Sequence, residues 1–343
     1  MSKRVLHVCY MDKFIPAFIE LVRDDIDSSN NHFYLIENTP RYSYREGSDT
    51  EQQRGKLGFF KLYFRMRQYD QIVLHGLFNK YVVLLLALSP KLLSRCYWVM
   101  WGGDLYSYKN KKTTLEKRFI ERCRRKVIKN IGHLVTYIPG DVELVRQWYA
   151  AKGEYVESFV YPSNLYKPLK LKEEPSRNTK VTVLVGNSAS KSNEHFDAFE
   201  RLAALPGGNA KIICPLSYGN EEYASKVIEE GKRLFGDDFL ALTDFLPLEE
   251  YLKLLNEVDI AVFAHRRQQA MGNLITLLGL GKKVYMRSDI TPWSMFENLG
   301  VDVFDVENLS LSTLDDDTAR HNRKIIESYF SRERLVQQLK DIL

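Results

Sequence analysis

Two doubly wound α/β domains facing a central cleft are the fold class that this sequence predicts. Short apolar or β-branched runs alternate with segments of helical periodicity, the pattern of parallel strands covered by helices on both faces. The alternation stops at a polar, proline-bearing stretch near mid-chain and then begins again. A length of 343 residues suits two domains of ordinary size.

In the first domain, assigned to residues 1–160, strand-like runs at 5–9, 33–36, 71–74, 97–100 and 134–137 alternate with helical patterns near 14–25, 55–67, 79–88, 114–129 and 141–150. Residues 161–180 carry Pro162, Pro168 and Pro175 among Lys and Glu without apolar periodicity, and they read as the linker. The second domain, 181–343, has strands at 182–185, 211–214, 239–242, 260–263 and 283–286 and helices near 193–205, 221–235, 248–256 and 272–280. Its last part, 314–343, is helical.

The 45% hydrophobic and 27% charged fractions are those of a globular chain and exclude a disordered one. The longest apolar run, 81–88, is far short of the roughly 20 residues of a membrane span. Met1-Ser-Lys-Arg leads directly into a strand pattern without a signal-peptide core, so a cytosolic location is expected. Cys9, Cys96, Cys123 and Cys214 lack ligand or redox spacing and are expected to be reduced, mostly buried small hydrophobes.

The net charge of +5 is uneven: residues 109–129 hold ten Lys or Arg against two Glu, so their +8 leaves −3 for the remainder. Leu115, Phe119, Cys123 and Val127 recur there at helical spacing, beside Ile120 and Ile128. This basic amphipathic helix reads either as an ordinary surface helix or as one that docks on anionic lipid headgroups through Arg122, Arg124, Arg125 and Lys126. Nucleic acid is not expected as a partner, since aromatic interleaving and the fold signatures of such binders are absent.

A Walker A sequence, a GxGxxG fingerprint and a G-x-S-x-G elbow are all missing, which removes support for kinase, nicotinamide dehydrogenase and serine hydrolase chemistry. Asp315-Asp316-Asp317 reads as a helix start rather than a metal motif, and no metal or cofactor is expected. Three turns of the second domain suit a nucleotide diphosphate. Gly186, Asn187 and Ser188 break a strand before a helix, with Lys191 and Asn193 in the following loop; free N–H groups at such a helix start favour an anion. Tyr218 offers a stacking face after the next strand. Arg266, Arg267 and Gln269 precede a second helix start at Gly272 and Asn273. In the first domain, His75 and Asp104 end two strands and are the candidate acid–base residues, although either also fits a structural role as core imidazole or helix cap.

Five motifs occur in matching order: His75-Gly-Leu-Phe-Asn79, Trp101-Gly-Gly-Asp-Leu-Tyr106, Gly140-Asp141, Val185-Gly-Asn-Ser188 with Ser192-Asn-Glu-His195, and Gln268-Gln269 before Gly272. As a set they resemble the bacterial 4-acetamido-4,6-dideoxygalactosyltransferases, which move the sugar from a TDP donor to an undecaprenyl-pyrophosphate disaccharide in enterobacterial common antigen assembly. The resemblance implies a GT-B architecture of two Rossmann-like domains, a metal-independent reaction and peripheral attachment to the cytoplasmic side of the bacterial inner membrane. It places Gly186, Asn187, Ser188 and Asn193 on the nucleotide side and His75 and Asp104 in the acceptor domain. The chain departs from that family at 137–141 and 161–163, on the acceptor side. Two other readings remain open: a nucleotide-sugar epimerase on the same architecture, and a non-catalytic nucleotide-sugar or lipid-headgroup binding module.

Overall fold

The computed structural model describes residues 3–26, 29–36, 42–53, 55, 57–168, 180–206 and 210–343. They form two compact units, Met1–Asn164 with Arg332–Leu343, and Leu165–Ser331. Of the linker expected at 161–180, residues 169–179 lie outside the described ones.

The first unit runs β1 (Val5–Tyr10), α1 (Ile15–Asp25), β2 (Asn31–Ile36), β3 (Thr50–Gln52), α2 (Gly58–Gln68), β4 (Gln71–His75), α3 (Lys80–Leu88), β5 (Cys96–Val99), α4 (Gly103–Tyr106), α5 (Leu115–Asn130), β6 (His133–Thr136), α6 (Pro139–Tyr149) and β7 (Glu154–Glu157). Its strands lie in the order β3-β2-β1-β4-β5-β6-β7 and every pairing is parallel. Central strands such as β1 and β4 are buried on both faces, which is why they are mostly apolar rather than alternating. Leu6, Tyr34, Ile72, Leu74, Leu86, Trp98 and Leu134 form the core of the sheet and its helices.

The second unit repeats the plan with β8 (Val181–Val185), α7 (His195–Ala203), β9 (Ala210–Pro215), α8 (Glu221–Phe235), β10 (Phe239–Leu242), α9 (Leu248–Glu257), β11 (Ile260–Phe263), α10 (Met271–Gly279), β12 (Lys283–Met286), α11 (Thr291–Asn298), β13 (Phe304–Asp305) and α12 (Asp316–Tyr329). Its parallel order is β10-β9-β8-β11-β12-β13 over a core that includes Val183, Val185, Phe199, Ile212, Ile260 and Val262. In each sheet the strand order reverses once, at β1/β4 and at β8/β11. Carboxyl ends of strands at such a reversal are where doubly wound sheets bind ligands.

The elements invisible to periodicity are short. β3, β7 and β13 are edge strands of two to four residues, and the one-turn α4 is capped by no side chain. Asp315 does start a helix, its carboxylate accepting from Thr318 N at 2.9 Å. Three cysteines are buried and all four are free, Cys123 being partly exposed.

Two expectations are corrected. The terminal helix α13 (Arg332–Ile342) belongs to the first unit, not the second. Gln71 Nε2 donates to Ile342 O (2.6 Å), Phe159 N to Gln338 Oε1 (3.3 Å), and Arg334 pairs with Glu157, while Leu335, Leu339 and Ile342 are buried. Periodicity gives a helix its apolar face but not the core that face covers. In α5 the inward face carries Glu121, Arg124, Val127 and Ile128, while Leu115 and Phe119 are exposed, so the expected apolar stripe holds only in the last turns.

Candidate functional site

The reversal point of the second unit is built around the turn after β8. Gly186 has φ +69°, and a Cβ there would stand 2.6 Å from His195 Nε2, so a side chain would collide with the first residue of α7. The Asn193 side chain closes the loop: its Oδ1 accepts from Asn187 N (3.1 Å), and its Nδ2 donates to Ser188 O (2.9 Å) and Ser188 Oγ (3.1 Å). Asn187 then joins three strand ends. Its Nδ2 donates to the Tyr218 hydroxyl (3.0 Å) and its Oδ1 accepts from Gln269 Nε2 (3.1 Å), while Ser192 donates to Gln269 Oε1 (2.7 Å). The backbones of Ala189 and Gly219 add an isolated parallel bridge. Asn187, Tyr218 and Gln269, named from separate turns of the sequence, thus meet.

Helix α10 opens nearby after Ala270, which adopts φ +57°, and no side chain caps it. The loop before it holds His265, fully buried, with neither ring nitrogen partnered, and Gln268, whose Oε1 is also buried and unpaired. His195 Nε2 is a further orphan. Burial, reinforced by Arg267 and His195, lowers His265 to about 3; burial lowers His195 to about 4. Both rings are neutral at pH 7, one as an unused donor–acceptor pair. Buried polar atoms of this kind are ordinarily hydrogen-bonded, to protein, water or a ligand.

The other expected residues of this unit are exposed or belong to the first turn of α10. Arg266 is 61% exposed along its side chain and sits 3.6 Å from Glu194, Lys191 is exposed, and Asn273 Nδ2 donates to the Tyr251 hydroxyl at 2.9 Å. Gly272 forms the first turn of α10. Of the four cations expected to touch lipid, Arg124 is buried beside Glu121, Arg125 lies 4.5 Å from the Tyr108 ring and Lys126 donates to Ala87 O (3.0 Å). Arg122 alone of these is exposed without such a tie among the described residues.

In the first unit Asp104 is fully buried and saturated. Oδ2 accepts from Trp98 Nε1 (2.7 Å) and Leu77 N (3.0 Å), and Oδ1 accepts from Trp101 N and Leu105 N (both 3.0 Å). With four N–H donors on it and no exposed surface, this carboxylate pins the loops after β4 and β5 and has no lone pair open to a substrate proton. These bonds fit the structural role that the sequence left open for Asp104 beside that of base.

His75 is likewise occupied. Trp101 Nε1 donates to the Tyr161 hydroxyl oxygen (2.8 Å), which donates to His75 Nδ1 (2.6 Å); His75 Nε2 donates to His7 Nδ1 (3.1 Å), and His7 Nε2 to Asn31 Oδ1 (2.9 Å). The direction follows from the ends of the chain, because an indole only donates and an amide oxygen only accepts. Burial, aided by the neighbouring His7, holds His75 well below its usual value; burial lowers His7 to about 4 against the opposing Asn31 bond. His75 is a core imidazole of fixed tautomer, not an exposed base. Beyond it, Phe14, Phe78 and Tyr161 pack edge-on or tilted against Trp101 and one another.

Sequence patterning assigned no role to His7 or Tyr161. Tyr161 is 86 positions from His75, and no local period reports such a contact. Among the described residues no group of three or more His, Cys, Asp or Glu is placed to hold a metal ion.

The whole chain is similar to solved structures of GT-B architecture. A glycosyltransferase from Rickettsia africae superposes with TM-score 0.69 at 12% identity, over 99% of this chain and 97% of that one. Sucrose-phosphate synthase from Thermosynechococcus elongatus gives 0.66 at 11% over 99% and 98%, and HepE from Anabaena, in complex with UDP and glucose, 0.61 at 14% over 99% and 94%. Identities this low establish the fold, which is GT-B. Residues 62–336 match the family described as 4-alpha-L-fucosyltransferase, glycosyl transferase group 56. The chain belongs to that family of glycosyltransferases.

Proposed function

We propose that this glycosyltransferase moves a 4-acetamido-4,6-dideoxyhexose, or a related sugar, from a TDP-sugar to an undecaprenyl-pyrophosphate-linked saccharide during cell-surface polysaccharide synthesis. The second unit holds the donor and the first presents the acceptor hydroxyl. One observation carries the donor assignment: at the β8/β11 reversal, an uncapped helix start adjoins buried, unpartnered His265 and Gln268. The amides opening α10 suit the diphosphate, whose charge grows as the glycosidic bond breaks. Neutral His265 suits an uncharged partner, a sugar hydroxyl or amide, since a cation there would be destabilised by burial. The Gly186–Asn187–Ser188 motif supports a nucleotide-sugar on this side, and HepE, a protein of the same fold, is solved in complex with UDP and glucose.

The test is a thermal-shift panel of TDP, UDP and their sugars, followed by transfer to a polyprenyl-pyrophosphate disaccharide in detergent. A ligand at 100 times its Kd stabilises by about 2.7 kcal/mol, and one thymine methyl separates TDP from UDP by about 1–3 kcal/mol. No shift with any of these compounds overturns the donor assignment.

A second reading concerns location: the protein attaches peripherally to the anionic cytoplasmic face of the inner membrane. Supporting it, α2 exposes Phe60 and Phe64 beside Lys61 and Arg67, and α5 exposes Leu115 and Phe119 beside Lys117, Arg118 and Arg122. Both helices pack on α3. Apolar side chains within a basic field match the chemistry of an anionic lipid surface. Among the described residues no helix is long and apolar enough to cross a membrane.

A further inference from the structure

The amino ends of β1, β2 and β3 border a cavity that no part of the proposed transfer uses. Its volume is about 570 Å³, within the range of about 300–1,000 Å³ in which small molecules are held. Arg4 stands before β1, Asn31 and His32 open β2, and Asp49 stands before β3, so the cavity lies at the opposite end of the strands from His75. All of these residues belong to the first unit. A second cavity, of about 560 Å³, shares Glu46 and Gly47 with the first and continues past β3 along Tyr44, Glu51, Gln52 and Lys61.

Arg23 fixes the wall between these elements. Its side chain is 8% exposed; Nε and Nη2 donate to the two oxygens of Asp49 (2.8 and 2.6 Å), and Nη1 donates to Glu20 Oε1 (3.0 Å) and Arg45 O (2.7 Å). Gly47 passes close over this pair, where a Cβ would stand 2.8 Å from Arg23 Nη2. Thr50 ties the turn, its N and Oγ1 donating to Gly47 O at 3.1 and 2.9 Å. The loop that walls the cavity is thus anchored to α1 and to β3.

The chemistry of the lining selects a class of ligand. Apart from Gly47 and Tyr69, every lining residue is polar or charged, and the Tyr69 ring is covered by the Arg4 guanidinium at 4.7 Å, so a lipid chain finds no apolar wall. Arg4, Arg23 and Arg45 stand against Asp49, Glu46 and Glu20, the last reaching Arg45 at 2.9 Å, so the formal charge around the cavity is balanced. Burial holds His32 below its usual value, with Arg65 and Arg4 adding to that and Glu51 and Asp49 opposing, so its ring adds no charge at neutral pH. A balanced field does not favour a polyanion such as a nucleotide diphosphate. Guanidinium groups only donate, carboxylates only accept, and Asn30, Asn31, Ser29 and Ser48 do both; a sugar hydroxyl, which donates once and accepts twice, matches that mixture.

We propose that this cavity is a saccharide-binding site, separate from the site of transfer, that holds a segment of neutral glycan at the amino end of the first sheet. The adjoining cavity offers a similar mixture, with Glu51 and Lys61 paired at 2.9 Å beside Gln52, and gives room for more than one ring. The inference goes beyond the transferase reading and does not depend on it, since no bond is made or broken here.

Saturation-transfer difference NMR of the full chain tests it, with N-acetylglucosamine, chitobiose and lactose as neutral probes and glucuronate and inorganic phosphate as anionic ones. The disaccharides are expected to give a signal that saturating TDP does not remove. Arg4→Gln and Glu46→Gln should each weaken binding about tenfold through loss of a charge-assisted hydrogen bond. Ser48→Trp, which fills the cavity from an exposed position, should abolish it, whereas Lys129→Gln, which removes an exposed charge on α5, should leave it unchanged. An unaltered melting midpoint reports that each variant is folded. Absence of signal with every neutral sugar, its removal by TDP, or its persistence in both Arg4→Gln and Ser48→Trp overturns the proposal. Preference for glucuronate or phosphate over the neutral sugars marks an anion site and overturns it too. The TDP-induced thermal shift of the wild type tests the transferase reading separately, so either fails without the other.

Discussion

Asp104 and His75 left the sequence with two readings each, and their hydrogen bonds fit the structural one. Both stand at strand ends of a doubly wound sheet, where ligands bind, and both carry titratable groups. What decides their roles is the number of donors on each atom, set by residues from other loops. Asp104→Asn tests this directly: an amide has one acceptor oxygen where four N–H groups converge, and its NH₂ would face two of them. We expect destabilisation of about 1–3 kcal/mol for each donor left unpaired, read as a lower urea midpoint. A lower turnover with an unchanged midpoint would instead return Asp104 to catalysis. The second-unit turn was more legible. Gly186, Asn187, Ser188 and Asn193 act within a stretch of eight residues, and short-range geometry of that kind is written in local sequence. Gln268 stood in a quoted motif, but no sequence pattern states that it, or His265, is buried without a partner.

At the scale of elements, strands and long helices followed from period, and their caps from side-chain chemistry. Asn79 accepts from Tyr81 N and Val82 N, Thr114 from Lys117 N, and Asn220 from Tyr223 N, each starting a helix where polar residues compete for free amides. Facing was less legible. In α5 the cationic Arg124 is inward and paired with Glu121, whereas Leu115 and Phe119 face out, so the lipid-facing candidates shift to Arg118, Phe119 and Arg122 together with Phe60 and Phe64 of α2. Replacing Phe60, Phe64 and Phe119 by Ser is expected to reduce co-sedimentation with phosphatidylglycerol vesicles at 0.15 M salt. Reversing Lys61 and Arg122 to Glu should do so more strongly at low salt than at high salt, because exposed charges are screened beyond about 8 Å at 0.15 M. Identical sedimentation of all variants and wild type would remove the membrane reading.

Across the whole molecule, both units bury neutral histidines: His7 and His75 in the first, His195 and His265 in the second. Burial holds His7 and His195 at about 4, His265 at about 3 and His75 well below its usual value. The unfolded chain protonates these rings near pH 6.5, so below that value it binds more protons than the folded one. Their contribution is thus fully present above pH 6.5 and is lost as the pH falls toward about 4, by about 1.4 kcal/mol per pH unit for each ring. Melting temperatures measured from pH 7 to pH 4.5 should fall steadily; a flat profile would show that these rings are not held neutral. The sequence by itself determined the alternation of strands and helices, the two-sheet plan, the strand-end turns and the glycosyltransferase resemblance, because each depends on local period or on motif order. Only the tertiary structure decided that α13 returns to the first unit, that Asp104 and His75 are fully bonded, and that His265 and Gln268 are not. Hydrogen-bond satisfaction is a property of groups brought together from distant positions, and no local pattern encodes it.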